Sequence, residues 1–199
     1  MLGIGLIGLG HHGSRYARHI VDDLTDAALV AVCRRSRPEG AKAAAAYNCD
    51  FHDDYRDLVA DPNVEAVVAA VPPTFHPAIV DATCQAGKPL LVEKSLATSL
   101  GAAQRIARAV SASGARAMVA QTLRFDSTVQ TLRAHLSEVA PLHALYLSQR
   151  LEPARLAGST ARPRAGAGLC FISASTASIC SAPSRDVRSL GFGAGRLNS

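Results

Sequence analysis

The run Leu2 to Leu9, LGIGLIGL, continuing directly into Gly10-His11-His12-Gly13, constrains this chain more than any other stretch of it. A short apolar run ended by turn residues reads as a strand buried on both faces. From Ser14 to Leu24, the residues Tyr16, Ala17, Ile20, Val21 and Leu24 then share one face of a helix. Strand, turn and helix in this order give the spacing G-x-G-x-x-G a structural setting. Gly8 permits the tight turn, Gly10 lets the backbone approach a pyrophosphate, and Gly13 allows helix and strand to pack closely. The unpaired N–H groups at the helix start then face the phosphates. The turn is read as the pyrophosphate site of a nicotinamide dinucleotide, the alternative being a tight turn with no ligand. His11 and His12 enter as backbone-level contacts, and no metal role is assigned because adjacent side chains in a turn diverge.

The pattern repeats down the chain. Ala28 to Cys33 is a second apolar run, followed by the alanine-rich stretch Glu39 to Tyr47, a good helix by propensity, and then by Asp53 to Val59, closing a βαβ unit. Val64 to Val71 reads as a third strand, Phe75 to Ala86 as a helix stopped by Gly87, and Pro89 to Val92 as a fourth strand. Ser99 to Ser113 is a helix stopped by Gly114, and Ala117 to Gln121 a fifth strand. Strands alternating with helices at this spacing predict an α/β fold, a doubly wound parallel sheet with helices on both faces. Beyond Gln121 the pattern predicts a helix from Ser127 to Leu136 and, from Leu142 to Arg150, a strand of a different sheet. The expected organisation is a nucleotide-binding domain over residues 1–122, the start of an α+β substrate and oligomerisation domain over 123–152, and an aberrant or disordered tail over 153–199.

Bulk properties remove several classes of function. The chain of 199 residues is 48% hydrophobic and 19% charged, with no apolar run long enough to span a bilayer and no leader pattern, so a cytoplasmic protein without a membrane partner is expected. The net charge of +5 is concentrated after residue 150, where six arginines stand against Glu152 and Asp186. That stretch lacks the aromatic residues that stack on bases, so a nucleic-acid partner is not expected. Five scattered cysteines without a C-x-x-C pair suggest neither a zinc site nor a disulfide framework.

A dinucleotide site usually has an acid about 20 residues past the glycines, to bond the ribose 2′-OH. Here Arg34 stands in that place, within Cys33-Arg34-Arg35-Ser36-Arg37. Guanidinium forks on Arg34 and Arg35 suit the 2′-phosphate of NADP and leave the ribose diol of NAD without a carboxylate. NADP is therefore preferred as cofactor, with NAD also accepted if the loop is a solvated basic segment.

Ligands bind outside the carboxyl ends of parallel strands. The segments there are Val71-Pro72-Pro73-Thr74-Phe75-His76, Glu93-Lys94-Ser95 and Gln121-Thr122-Leu123-Arg124-Phe125. Together with GLIGLGHHG, the stretches AAVPPTFHPAIVDATCQAGKPLLVEKSLA and VAQTLRFDSTVQTLR resemble the Gfo/Idh/MocA family, NAD(P)-dependent enzymes of the glucose-fructose oxidoreductase and inositol dehydrogenase type. The resemblance covers roughly residues 1 to 150. It implies a Rossmann domain followed by an α+β domain, and hydride transfer between the nicotinamide and a sugar, polyol or related hydroxy compound. It further implies that Lys94 is catalytic, its ammonium hydrogen-bonding an alkoxide as it develops. Glu93 would orient the loop, and Pro72, Pro73 and His76 would line the nicotinamide side, His76 being equally readable as a helix-start residue. Ser95 stands where the family usually has proline. Intact relatives are expected to form homo-oligomers through the second sheet.

The family's G-x-x-x-D-x-x-x-H-like segment, with its proton-accepting histidine, does not follow residue 150. A GC-rich gene read out of frame yields Ala/Ser/Arg/Pro-rich peptide, and in the neighbouring frame LCFISASTASICSAP (residues 169–183) can become LLHIGVHSFDLLRAL, depending on third-base choices. A compensated frameshift over about codons 153–184 of a truncated chain is the favoured expectation. The competing class is a non-catalytic dinucleotide-binding module or an inactive fragment of such an enzyme.

Overall fold

The computed structural model describes residues 1–139. The strand expected from Leu142 to Arg150 and the stretch 153–199, expected as an aberrant or disordered tail, lie outside the described residues. Met1–Gln121 forms the first compact unit, and the chain from Thr122 belongs to a second.

In the first unit, six strands alternate with five helices. The strands are β1 (Leu2–Ile7), β2 (Ala27–Cys33), β3 (Asp50–His52), β4 (Ala66–Ala69), β5 (Leu90–Glu93) and β6 (Ala117–Ala120). The helices are α1 (His11–Asp22), α2 (Arg37–Tyr47), α3 (Tyr55–Ala60), α4 (His76–Gln85) and α5 (Leu100–Ser113). Every pairing is parallel, in the order β3-β2-β1-β4-β5-β6. The order reverses between β1 and β4, and at that switch point the loops after the two strands diverge and leave a crevice.

The apolar runs form strands because both sheet faces are covered. Ala17 and Ile20 of α1 and Ala44 of α2 pack with Ile4, Leu6, Leu29 and Val32 on one side. Leu58 and Val59 of α3, Ile79 and Val80 of α4 and Ile106 of α5 pack with Ile7, Ala31, Val67 and Val92 on the other. Leu6 is wholly buried, a burial worth roughly 1.5–3 kcal/mol. The helix ends are written locally: Ser99 caps α5 by accepting the Ala102 N–H at 3.2 Å, and Gly114 closes it with φ +67°.

Two local expectations are corrected. The sheet has six strands, because Asp50–His52 pairs with β2, and the stretch from Asp53 that was to close the βαβ unit instead turns into α3, capped by the Asp54 carboxylate. Helix α1 starts at His11 rather than Ser14, since Gly10 is already its N-cap. In the second unit, α6 (Ser127–His135) follows a 3-10 turn at Thr122–Phe125 and is capped by Asp126, which accepts from Thr128 and Val129. Among the described residues no helix is long and apolar enough to cross a membrane.

Candidate functional site

Strand β1 delivers the chain to a turn in which the three glycines have separate physical reasons. Gly8 has φ +95°, and a Cβ there would lie 2.5 Å from the Ala70 carbonyl oxygen. A Cβ on Gly13 would lie 1.9 Å from the Gly8 carbonyl oxygen, so α1 can sit on the turn only without a side chain at that point. A Cβ on Gly10 would meet nothing within 4 Å. The fold needs Gly8 and Gly13; the space over Gly10 is open.

Gly10 caps α1 in an extended conformation with no side-chain cap bond, and the first amide drawn into the helix is that of Ser14, to the Gly10 carbonyl at 2.9 Å. The amides of His11, His12 and Gly13 have no protein acceptor among the described contacts. Unpaired donors at the positive end of a helix, beside an open approach, fit a pyrophosphate. The side chains of His11 and His12 are exposed, with ring centroids 5.5 Å apart edge to face, in the first turn of the helix rather than in the glycine turn.

A cavity of about 840 Å³ opens beside this turn at the carboxyl ends of β1, β2, β3 and β4, lined by Gly8, Gly10, Arg34, Arg35, Asp53, Pro72 and Phe75 among others. The arginines after β2 are not a uniform basic loop. Arg34 donates to the Leu9 carbonyl at 3.2 Å and pairs with Glu39, which fastens it to the glycine turn. Arg37 pairs with Asp53, and Arg56 pairs with Asp54 at 3.2 Å while stacking on Tyr55. Arg35 alone of the three in the run has no carboxylate partner among the described contacts; its guanidinium lies over the Phe75 ring, 5.5 Å from the centroid. Burial, helped by the neighbouring Asp54, Asp53 and Asp57, pushes the Cys33 thiol up to about 12, so it is inert at neutral pH.

Sequence reasoning does not find Glu39, Asp53 and Asp54 in this cavity. The signal for the aspartates is the end of β3, visible only once Asp50–His52 is recognised as a strand.

The loops after β4 and β5 hold the remaining candidates. Pro72 lines the cavity, and Pro73 opens a 3-10 turn closed by the Phe75 amide on the Pro72 carbonyl at 3.0 Å. His76 is not brought to the cavity. It is fully buried, with Nδ1 3.0 Å from the Leu96 carbonyl and Nε2 3.0 Å from the Val71 carbonyl. Of its two readings the structure takes the helix-start one, and the ring joins the two loops from behind.

Glu93 ends β5 with its carboxylate buried; Oε1 accepts from the Tyr16 hydroxyl and Oε2 from the Lys94 backbone N–H, each at 2.9 Å. Burial, then the bond to Glu93, pushes the Tyr16 phenol up to about 12. Lys94 itself is exposed and has no carboxylate partner among the described contacts, and the Lys94–Ser95 peptide bond is cis. No group of acidic, histidine and cysteine side chains among the described residues is arranged to hold a metal ion.

A parallel sheet in this order, with a glycine turn and a helix N-terminus at its switch point, defines the dinucleotide-binding class of α/β domain. The chain belongs to the oxidoreductase family with an NAD-binding Rossmann fold, the Gfo/Idh/MocA family, whose model matches residues 2–121. It is 34% identical over 136 residues to inositol 2-dehydrogenase 1 of Saccharopolyspora erythraea, covering 67% of this chain and 40% of that protein. It is 38% identical over 145 residues to inositol 2-dehydrogenase of Acidothermus cellulolyticus, covering 71% and 42%. The chain thus spans less than half the length of these relatives. Among solved structures, an NAD binding oxidoreductase from Klebsiella pneumoniae superposes with a TM-score of 0.61 at 29% identity, covering 69% of this chain and 38% of that one. Scyllo-inositol dehydrogenase from Lactobacillus casei, solved with NAD(H) and scyllo-inositol, shares the fold with a TM-score of 0.66 at 21% identity over 69% and 41%.

Proposed function

We propose that the first unit binds NADP in preference to NAD and serves an oxidoreductase that acts on a polyol or a related sugar. The observation that carries the cofactor preference is the end of β2. Arg34 occupies the place of the ribose-binding acid, the carboxylates within reach are already paired with Arg34, Arg37 and Arg56, and Arg35 keeps its guanidinium for a phosphate. Gly8, Gly10 and Gly13 with the amides of His11 and His12 would hold the pyrophosphate, and Pro72 and Phe75 would bound the cleft, with Pro73 in the 3-10 turn outside its lining.

When bound, the nicotinamide supplies a two-electron carrier that takes or gives a hydride. The chain's own part at the reacting end is Lys94. An exposed ammonium with no carboxylate partner can donate to a substrate hydroxyl and stabilise the oxygen as its proton leaves. Glu93 has both oxygens committed, which fits it to hold the loop rather than to move a proton. The substrate class rests on the names of the relatives, inositol 2-dehydrogenases.

The test is titration of the full chain with NADPH and with NADH, followed by nicotinamide fluorescence. NADPH is expected to bind about tenfold or more tighter, and Arg35→Ala to erase most of that margin, the worth of one charge-assisted phosphate contact. Equal affinities in the unsubstituted chain would overturn the preference, and binding of neither would overturn the cofactor reading. A polyol and sugar screen at the nicotinamide absorbance addresses the reaction. Turnover abolished by Lys94→Ala, with cofactor affinity held within about twofold, supports the catalytic role; binding without turnover makes the chain a dinucleotide-binding module.

A further inference from the structure

We propose that Tyr16 is a positioning residue for Lys94, its hydroxyl acting through the Glu93 carboxylate to fix the loop that carries the ammonium. This rests on the reading of Lys94 given above, but the placement of the loop is testable without cofactor. Tyr16 lies on α1 one turn beyond the glycine motif, and Glu93 is the last residue of β5, 77 positions away in the chain. The carboxylate between them is buried and takes two neutral donors, the phenol on Oε1 and the Lys94 amide on Oε2, both at 2.9 Å.

The arrangement works as a strut. One end is the helix whose N-terminus faces the proposed phosphates, and the other is the backbone amide of Lys94. A buried carboxylate keeps its place only while its oxygens are hydrogen-bonded. Remove the hydroxyl, and Oε1 becomes an unpaired, charged acceptor one residue from an ammonium. The ammonium is a charged donor on the adjacent residue, and pairing with it draws Lys94 away from substrate. Tyr16 therefore does two things with one bond: it ties α1 to the β5 loop, and it occupies the oxygen that would otherwise capture Lys94. The phenol, pushed up to about 12, stays a donor through the whole range in which such an enzyme works.

The chain makes this measurable because it has three lysines, Lys42, Lys88 and Lys94, so two internal references accompany the amine of interest. The full chain and the variants Tyr16→Phe, Glu93→Gln, Tyr16→Phe with Glu93→Gln, and Tyr16→His would be labelled with trinitrobenzenesulfonate, with no cofactor. Peptide mass spectrometry gives the rate at Lys94 relative to Lys42 and Lys88. In Tyr16→Phe the relative rate is expected to fall about tenfold or more, the scale of one hydrogen bond to a charged group. The double variant should go no further than the single ones, since the two side chains form one path. Tyr16→His, which keeps an N–H donor, should return the ratio most of the way. An unchanged ratio in both Tyr16→Phe and Glu93→Gln, or effects that simply add, would overturn the strut. If Tyr16→Phe does not fold, Glu93→Gln still reads the tie between the phenol and the Lys94 loop, a changed ratio supporting the strut and an unchanged one overturning it. A chain that binds neither NADPH nor NADH but shows the expected labelling pattern retains the strut and loses the cofactor reading; binding with an unchanged ratio does the reverse.

Discussion

At the scale of single residues, Gly10 and Gly13 look alike in sequence and differ in the structure. A methyl on Gly13 runs into the Gly8 carbonyl oxygen at 1.9 Å, and that obstacle is backbone, which has little to yield. Gly13→Ala is therefore expected to cost at least about 2 kcal/mol by overpacking, read as a fall in the thermal midpoint. Gly10 has room and backbone angles (φ −71°, ψ −170°) that alanine adopts without strain. Gly10→Ala should hold stability within about 1 kcal/mol, the scale of a weakened N-cap, and yet weaken NADPH binding about tenfold or more by standing where the pyrophosphate arrives. A Gly10→Ala chain that binds as well as its parent would separate the open space from the ligand. The residue scale also shows why the arginines could be seen but not sorted. Their number is local information, whereas their partners are not: Arg37 finds Asp53 after the intervening helix has folded back, and Arg35 finds Phe75 from another strand's loop.

The element scale turns on His76. With both ring nitrogens 3.0 Å from carbonyls on different loops, the imidazole holds the ends of β4 and β5 at a fixed spacing from the start of α4. His76→Leu keeps the bulk and removes the polar contacts; it should cost about 1–3 kcal/mol and raise hydrogen exchange in the loop from Lys94 to Ser99, measured amide by amide. Exchange unchanged in that loop would reduce the histidine to packing. Elements also divide what the sequence could reveal. Strands β1, β2, β4 and β5 lie inside the sheet, and burial on both faces writes them as Ile, Leu, Val and Ala runs. β3 is a three-residue edge strand, Asp50-Phe51-His52, without enough length to show alternation, and with it the carboxyl end carrying Asp53 and Asp54 stays hidden. The glycine turn was legible because all its chemistry lies within six residues. The Tyr16–Glu93 contact was not, because nothing near either residue in the chain announces the other.

For the whole molecule, the buried Cys33 thiol, the half-buried Cys49 thiol and the Tyr16 phenol set a limit on the alkaline side. Cys33 is pushed up to about 12 and Cys49 to about 11 from an ordinary value near 9, and Tyr16 to about 12 from 10, in each case chiefly by burial. All three are raised above their unfolded values, so at high pH the unfolded chain has released protons that the fold still holds, and stability falls as pH rises. Their contribution is complete below about pH 9, declines above it and is exhausted near pH 12. Lys88, lowered by its own burial, works in the opposite direction. Urea midpoints should be flat from about pH 7 to about pH 8.5 and fall beyond it, with Cys33→Ala and Cys49→Ala together delaying the onset to about pH 10. A midpoint that rises across that range would contradict the burial of these groups. The contrast within the glycine turn also reaches beyond the folded molecule to its gene. Any single-base change that replaces a glycine adds at least a Cβ, so selection at Gly13 acts through folding whether or not a ligand is bound, while selection at Gly10 acts only as long as something must approach it. In a lineage whose copy of this gene had stopped binding dinucleotides but still made a folded protein, Gly10 would drift while Gly13 stayed fixed, and the order of their loss would date the end of binding relative to the end of folding.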